Sequence, residues 1–249
     1  MSNIETVNEQ YIGSGIVYVD GRDVGNVSAL DFTLEVETKT RASYRPGGGN
    51  IASSSRVRSV SLSATLDSFN NSNLSLALRG VVDTKESKTI TNENIKAIVP
   101  GLVETSEMLD VSNTINVQSV VEEGSEDSPV TFTKGVDFEV TAAGIKPLST
   151  GKITDGMLLT IDYTTRAASA LQALVESGKE VKMIFDGIND DNGSPSVVKV
   201  YRWKPAPAAG LSLIGDDYGE FQLAGDVLAD DTITATGKSK FFVREAASA

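Results

Sequence analysis

Two alternating runs, Val27 to Glu37 and Arg56 to Asp67, constrain this chain more than any other feature of it. In the first, Leu30, Phe32, Leu34 and Val36 fall on one side of an extended strand, with Asp31, Thr33, Glu35 and Glu37 on the other. Successive side chains of a strand point to opposite faces, so this is a β pattern. In the second run Val60, Leu62, Ala64 and Leu66 oppose Ser59, Ser61, Ser63 and Thr65. Each run predicts one buried and one wet face, and together they predict an antiparallel hairpin in a mainly β fold. The wet face is acidic on one strand and lined with hydroxyls on the other. No Lys or Arg occurs between residues 26 and 38 or between 59 and 78, on a kind of face that ordinarily mixes both signs. The solvent face of an ordinary sheet would account for the alternation; a conduit for DNA would account for the missing cations as well.

Between the runs lies Thr38 to Ser55, holding Arg41, Tyr44, Arg45, Pro46, Gly47, Gly48, Gly49 and Asn50. It predicts a basic, flexible loop, far longer than the roughly two to five residues that usually join a hairpin. Three successive glycines could let backbone N–H groups approach a phosphate, but no Gly-Lys-Ser/Thr follows and two strands flank them, so flexibility is the simpler purpose.

Elsewhere the pattern remains β. Ile16 to Val19 ends in Asp20-Gly21, a favoured two-residue hairpin turn, with Val24 opening the return strand. Ser68 to Gly80 predicts a short helix with Asn or Ser at its start and Gly80 at its stop. Residues 84–166 change character to Thr, Val and Glu with several short β candidates. Acidic or Asp-Gly turns such as Gly124 to Ser128 separate them, and the segment predicts an inserted β module. Leu171, Leu174 and Val175 predict a second helix over Ala168 to Ser177, stopped by Gly178. Strands over Glu180 to Phe185 and Ser196 to Trp203 follow, joined by the polar segment Asp186 to Pro195. The domain organisation is then a discontinuous β domain, 1–83 and 167–249, carrying 84–166 as an insertion.

Composition narrows function by exclusion. The 249 residues contain neither Cys nor His, which removes disulfides, thiolate zinc sites, thiol nucleophiles and imidazole catalysis. A net charge of −12 argues against a protein that grips nucleic acid through its phosphates. The polar start, Met1 to Gln10, and the lack of a long apolar run predict no secretory signal and no membrane span, hence a soluble product of the cytoplasm. The acidic segment Asp186 to Gly193 invites calcium, but aligning Gly193 with the EF-hand glycine puts Ile188 and Lys199 at ligand positions. Carboxylate pairs from Asp31, Glu35 and Glu37, or from Asp216 and Asp217, are the one catalytic device still open, and no Gly-x-Ser-x-Gly elbow accompanies them. The expectation is a non-enzymatic protein without cofactor or metal.

The order of the segments resembles the major tail tube protein of long-tailed, siphovirus-like bacteriophages. The likeness rests on Gly13-Ser-Gly-Ile-Val-Tyr-Val-Asp-Gly21, on the hairpin with its long connection, and on Leu62-Ser-Ala-Thr-Leu-Asp-Ser-Phe leading into Asn73-Leu-Ser-Leu-Ala-Leu78. Leu174 to Gly187 and Leu211 to Leu228 add to it, so that it spans most of the chain outside 84–166. The resemblance implies a β-sandwich or half-barrel flanked by a helix, assembled as hexameric rings that stack into a tube in the virion tail. It also implies tape measure, tail terminator and initiator proteins as partners, with viral DNA passing through unbound during ejection and no membrane involved. On that reading Asp31, Thr33, Glu35, Glu37, Ser59, Ser61, Ser63 and Thr65 face the lumen. The segment from Arg41 to Asn50 reaches the adjacent ring, and the insertion projects from the outer wall. A carbohydrate- or cell-surface-binding β module is the alternative reading, motivated by the acidic turns of the insertion.

Overall fold

The computed structural model describes residues 10–121 and 128–247, so the turn read at 124–127 and the start, 1–9, lie outside the described residues. Along the chain the elements are β1 (Gly13–Val19), β2 (Arg22–Asp23), β3 (Val27–Ala42), β4 (Asn50–Leu66), α1 (Asn71–Leu78), β5 (Val81–Lys85), β6 (Thr89–Lys96), β7 (Val103–Glu104) and β8 (Asn116–Ser119). There follow β9 (Thr131–Phe132), β10 (Phe138–Thr141), β11 (Gly144–Pro147), β12 (Leu158–Thr164), β13 (Ala168–Gln172), β14 (Val181–Asn189), β15 (Ser194–Pro205), β16 (Phe221–Val227) and β17 (Phe242–Ala246). The protein is mainly β, with one short helix among the described residues and several antiparallel sheets. Two compact units divide it: Met1–Val82 with Leu171–Ala249, and Asp83–Ala170, where the sequence placed an insertion at 84–166.

The first unit is built on an eight-stranded sheet in the order β2-β1-β14-β15-β16-β4-β3, with β17 added beside β15. Val17, Val19, Leu62, Leu66, Met183, Trp203 and Leu223 are buried against one another and against Ala77 of α1. Phe32 stacks on Phe242 at 4.7 Å between ring centres, and Phe69 meets Phe221 edge-on at 5.2 Å. The Asp20-Gly21 turn has φ of 49° and 78°, the positive pair that a tight hairpin turn requires. The return strand it opens, β2, is only two residues long.

The helix is held at its start by the Asn70 side chain, which accepts from the Asn73 N–H at 2.9 Å. Its end differs from expectation. Arg79, not Gly80, takes the left-handed conformation, with φ 47°. Gly80 is glycine for another reason: a Cβ there would stand 2.6 Å from the Gln172 carbonyl oxygen.

A second correction concerns Ala168 to Ser177, which forms no helix. Ala168–Gln172 is strand β13, paired with β5 in a two-stranded sheet. Leu174 and Val175 are exposed, and the Leu174 and Glu176 N–H groups donate to the carbonyls of Leu78 and Arg79. An apolar helical stripe needs a surface to bury it; here backbone pairing with neighbouring segments satisfies the chain instead.

The central unit contains the sheets β6-β12-β8-β9 and β10-β11-β7 over a core that includes Val117, Phe138, Ile145, Leu159 and Ile161. Between these two sheets the chain leaves strand pairing, with β6 ending at Lys96 and β7 beginning at Val103. Asp137 is buried and accepts from the backbone N–H groups of Thr133 at 2.8 Å and Lys152 at 2.9 Å. Those two donors, Thr133 first, hold its carboxyl below the ordinary aspartate range. A carboxyl whose pKa is depressed by folding stabilises the native state above its unfolded value of about 3.9, and the contribution disappears as pH falls through the native value. The wild type should therefore melt higher than Asp137→Asn at neutral pH, with the gap closing below about pH 4. Melting curves between pH 2 and 7 check this; a gap independent of pH would contradict it. In the first unit, Leu62→Ala should cost about 2–5 kcal/mol in urea unfolding, because Leu62 is buried.

Candidate functional site

β3 and β4 pair from Val27↔Leu66 to Ala42↔Asn50, so the segment read as a long flexible loop is mostly strand. Only Ser43 to Gly49 lies between the strands. The Ser43 N–H donates to the Gly49 carbonyl at 2.7 Å, and Gly47, Gly48 and Gly49 have φ of 106°, 65° and 90°. The glycines therefore serve the turn geometry rather than a flexible reach. Thr38, Thr40, Ser53, Ser54 and Ser55 show no hydrophobic period, yet their backbones pair.

The register brings the predicted polar residues together. Asp31 lies opposite Ser63, Thr33 opposite Ser61 and Glu35 opposite Ser59, whose hydroxyl donates to the Glu35 carboxylate at 3.0 Å. Thr65 lies opposite Ala29. Glu37 stands apart from this group. A bulge falls between Glu35 and Val36, leaving Arg58 as the extra residue on β4 and setting Glu37 opposite Arg56. Arg56 donates through Nε and Nη2 to one Glu37 oxygen at 3.0 and 2.7 Å, and Lys39 lies 3.7 Å from the other. The cation-free acidic wall thus ends at Glu35, because Arg56 from across the hairpin and Lys39 of β3 itself both bring positive charge to Glu37.

The same face continues onto a strand that the sequence reading did not assign to it. β16 pairs with β4 so that Gln222 lies beside Thr65, Ala224 beside Ser63 and Asp226 beside Ser61; Lys204 of β15 lies beside Asp226. Rows such as Thr33-Ser61-Asp226 cross three strands. The alternation of Phe221, Leu223 and Val227 with Gln222, Ala224 and Asp226 was visible in the sequence. What could not be read was the long-range pairing that places it next to β4.

The opposite face changes character along its length. Leu30 and Phe32 pack on the core, but Leu34 and Val36, expected to be buried, are 55% and 53% exposed. Val57 lies opposite Val36 and is also exposed. The reason lies in the neighbouring strand: β16 covers β4 only over Ser61–Leu66. Beyond Val60 the hairpin is a two-stranded ribbon with no third strand among the described residues, exposed on both faces. The outer edge of β3 has no partner strand among the described residues, and the tip residue Tyr44 is 98% exposed.

Other candidates stay local. In the acidic turn, the Asn189 side chain accepts from Ile12 N–H and donates to the Gln10 carbonyl, and Asp190 accepts from the Ser14 hydroxyl. Among the described residues no three acidic side chains are grouped as a metal site requires. Asp216 and Asp217 lie with Glu220 on one exposed irregular segment.

Residues 10–245 match the model of a family described as Protein of unknown function UCP028589. The chain belongs to this family. No curated protein matches the sequence. The UCP028589 match covers both units, so the β3–β4 hairpin and the central unit both fall within it.

Leu34 and Val36 touch little within the chain, so replacing both with Ser should shift the stability of the isolated protein by about 0.5 kcal/mol or less. Urea unfolding of dilute protein tests this. A loss of the size expected for a core residue would mean that the ribbon is covered within the monomer.

Proposed function

We propose that this protein is a structural, non-catalytic subunit of a phage tail tube, a β-sandwich or half-barrel that forms stacked hexameric rings around a channel for DNA. One observation carries the reading: a 16-residue strand at the end of the sheet has, among the described residues, no partner on its outer edge, and it continues into a ribbon exposed on both faces. An unpaired edge presents a row of N–H and C=O groups to another chain, and an isolated two-stranded hairpin is only marginally stable in water. Both costs are offset when copies of the chain pair edge to edge and cover the ribbon, and closure into a ring leaves no edge over.

The polar face of β3, β4 and β16 suits the channel wall. It offers carboxylates at Asp31, Glu35 and Asp226 and hydroxyls at Thr33, Ser59, Ser61, Ser63 and Thr65, with the ammonium of Lys204 on the neighbouring strand β15 beside Asp226. A net negative, hydroxyl-lined wall gives DNA phosphates nothing to condense on. The partners on this reading are other copies of the chain, the tape measure, the terminator and the initiator, in a virion tail assembled in a host bacterium.

Electron microscopy of the purified chain at high concentration, alone and with tail initiator proteins, should show rings or tubes with a central channel. A species that stays monomeric throughout would overturn the reading. Asp31→Lys with Glu35→Lys should leave assembly intact and slow DNA passage most strongly at low salt, because screening weakens phosphate contacts as ionic strength rises. Ejection rates unchanged at low salt would place these side chains away from the channel.

A further inference from the structure

The hairpin tip and the segment Ser212–Glu220 carry complementary features that one copy cannot join to each other. At the tip, Arg41 and Arg45 flank Tyr44 and make no ion pair among the described residues. From residue 38 to 58 the chain has five cations and no acid, within a protein of net charge −12. The segment Ser212–Glu220 is the reverse: Asp216, Asp217 and Glu220 have no basic residue among them and no ion pair among the described residues. It also displays three large apolar side chains, Leu213 at 76%, Ile214 at 99% and Tyr218 at 97% exposed.

Their places in the fold are fixed at opposite ends of one strand. β4 begins at Asn50, beside the tip, and ends at Leu66, which pairs with Phe221, the residue that follows the acidic segment. Phe69 anchors that segment, lying against both Phe221 and Gly219. Seventeen residues of strand span about 50 Å, at roughly 3.3 Å each, so the tip cannot reach the acidic segment of its own chain.

We propose that the tip of one copy docks on the Ser212–Glu220 segment of another, with Arg41 and Arg45 meeting Asp216, Asp217 and Glu220 while Tyr44 packs against Ile214 and Tyr218. This rests on the tube reading and names the surface that accepts the hairpin. Arginine and tyrosine are the residues most enriched at the energetic centres of protein interfaces, and here they meet opposite charge and exposed apolar area. The contact joins two different patches, so it is heterologous, and one copy can use both at once, its tip on one neighbour and its Ser212–Glu220 segment on another.

The chain's lack of cysteine provides a direct test. Ser43→Cys adds one thiol at a half-buried position of the tip and Gly215→Cys one at an exposed position, where a Cβ meets no heavy atom closer than 4.0 Å. Mixed under mild oxidation during assembly, the two variants should form a disulfide-linked dimer, whereas neither should cross-link to itself. Separately, Arg41→Glu with Arg45→Glu, and Asp216→Lys with Asp217→Lys, should each raise the protein concentration needed for stacking by about tenfold or more. All four changes in one chain should restore it, with circular dichroism confirming that every variant is folded. Wild-type stacking with no mixed cross-link, or with no recovery in the fourfold variant, overturns the docking alone. Failure of the wild type to assemble overturns both it and the tube reading.

Discussion

The pairing of β3 with β4 is the constraint on which the rest of the first unit depends, and it has two different environments. From Val27 to Thr33, β3 lies on a strand that is itself paired with β16 and packed on the core, so Leu30, Phe32 and Leu62 are fixed by packing. From Val36 outward the same two strands have only each other. The bulge at Glu35/Val36 marks the change, and the extra residue Arg58 adds local twist where the ribbon leaves the sheet. Hydrogen bonds run through the transition while hydrophobic burial stops at it. That makes the outer ribbon the least stable part of the hairpin and the part with most to gain from a partner.

Charge is sorted along the same axis. The inner half of the hairpin carries uncompensated acids at Asp31 and Glu35, and the outer half carries the cations from Lys39 to Arg58. Glu37 and Arg56, joined across the strands, stand where the sign changes. Exposed groups farther apart than about 8 Å are largely screened from one another at physiological salt. The acidic inner face and the basic tip therefore act on different neighbours, and the net charge of −12 describes neither of them.

Where hydrophobic alternation set the structure, the sequence was a sufficient guide: the inner hairpin, the Asp20-Gly21 turn and the short helix all follow from local pattern. Segments held by the backbone alone gave no such signal. Thr38 to Ser55 reads as a loop because Ser and Thr repeat without period, yet strand pairing requires only N–H and C=O groups in register. Ala168 to Ser177 misled in the opposite sense, since its leucines have helical spacing but Leu174 and Val175 find no surface. Long-range neighbours were invisible for a different reason. That Asp226 belongs beside Ser61, and Arg56 beside Glu37, depends on register, which a single strand's sequence does not encode.

A long unpaired edge is ordinarily a hazard, because any extended chain can add to it. On β3 that hazard is limited by the side chains themselves. Asp31, Glu35 and Glu37, then Lys39 and Arg41, put a charge at almost every second position, acidic first and basic after. A strand added in the wrong register would set like charges opposite one another or bury one unpaired. The bulge adds a second filter, because a partner must match the edge on both sides of a change in twist. An edge built this way rejects most chains and accepts one that repeats the same sequence of signs in complement. That selectivity keeps the edge available to a matching partner without leaving it open to any strand.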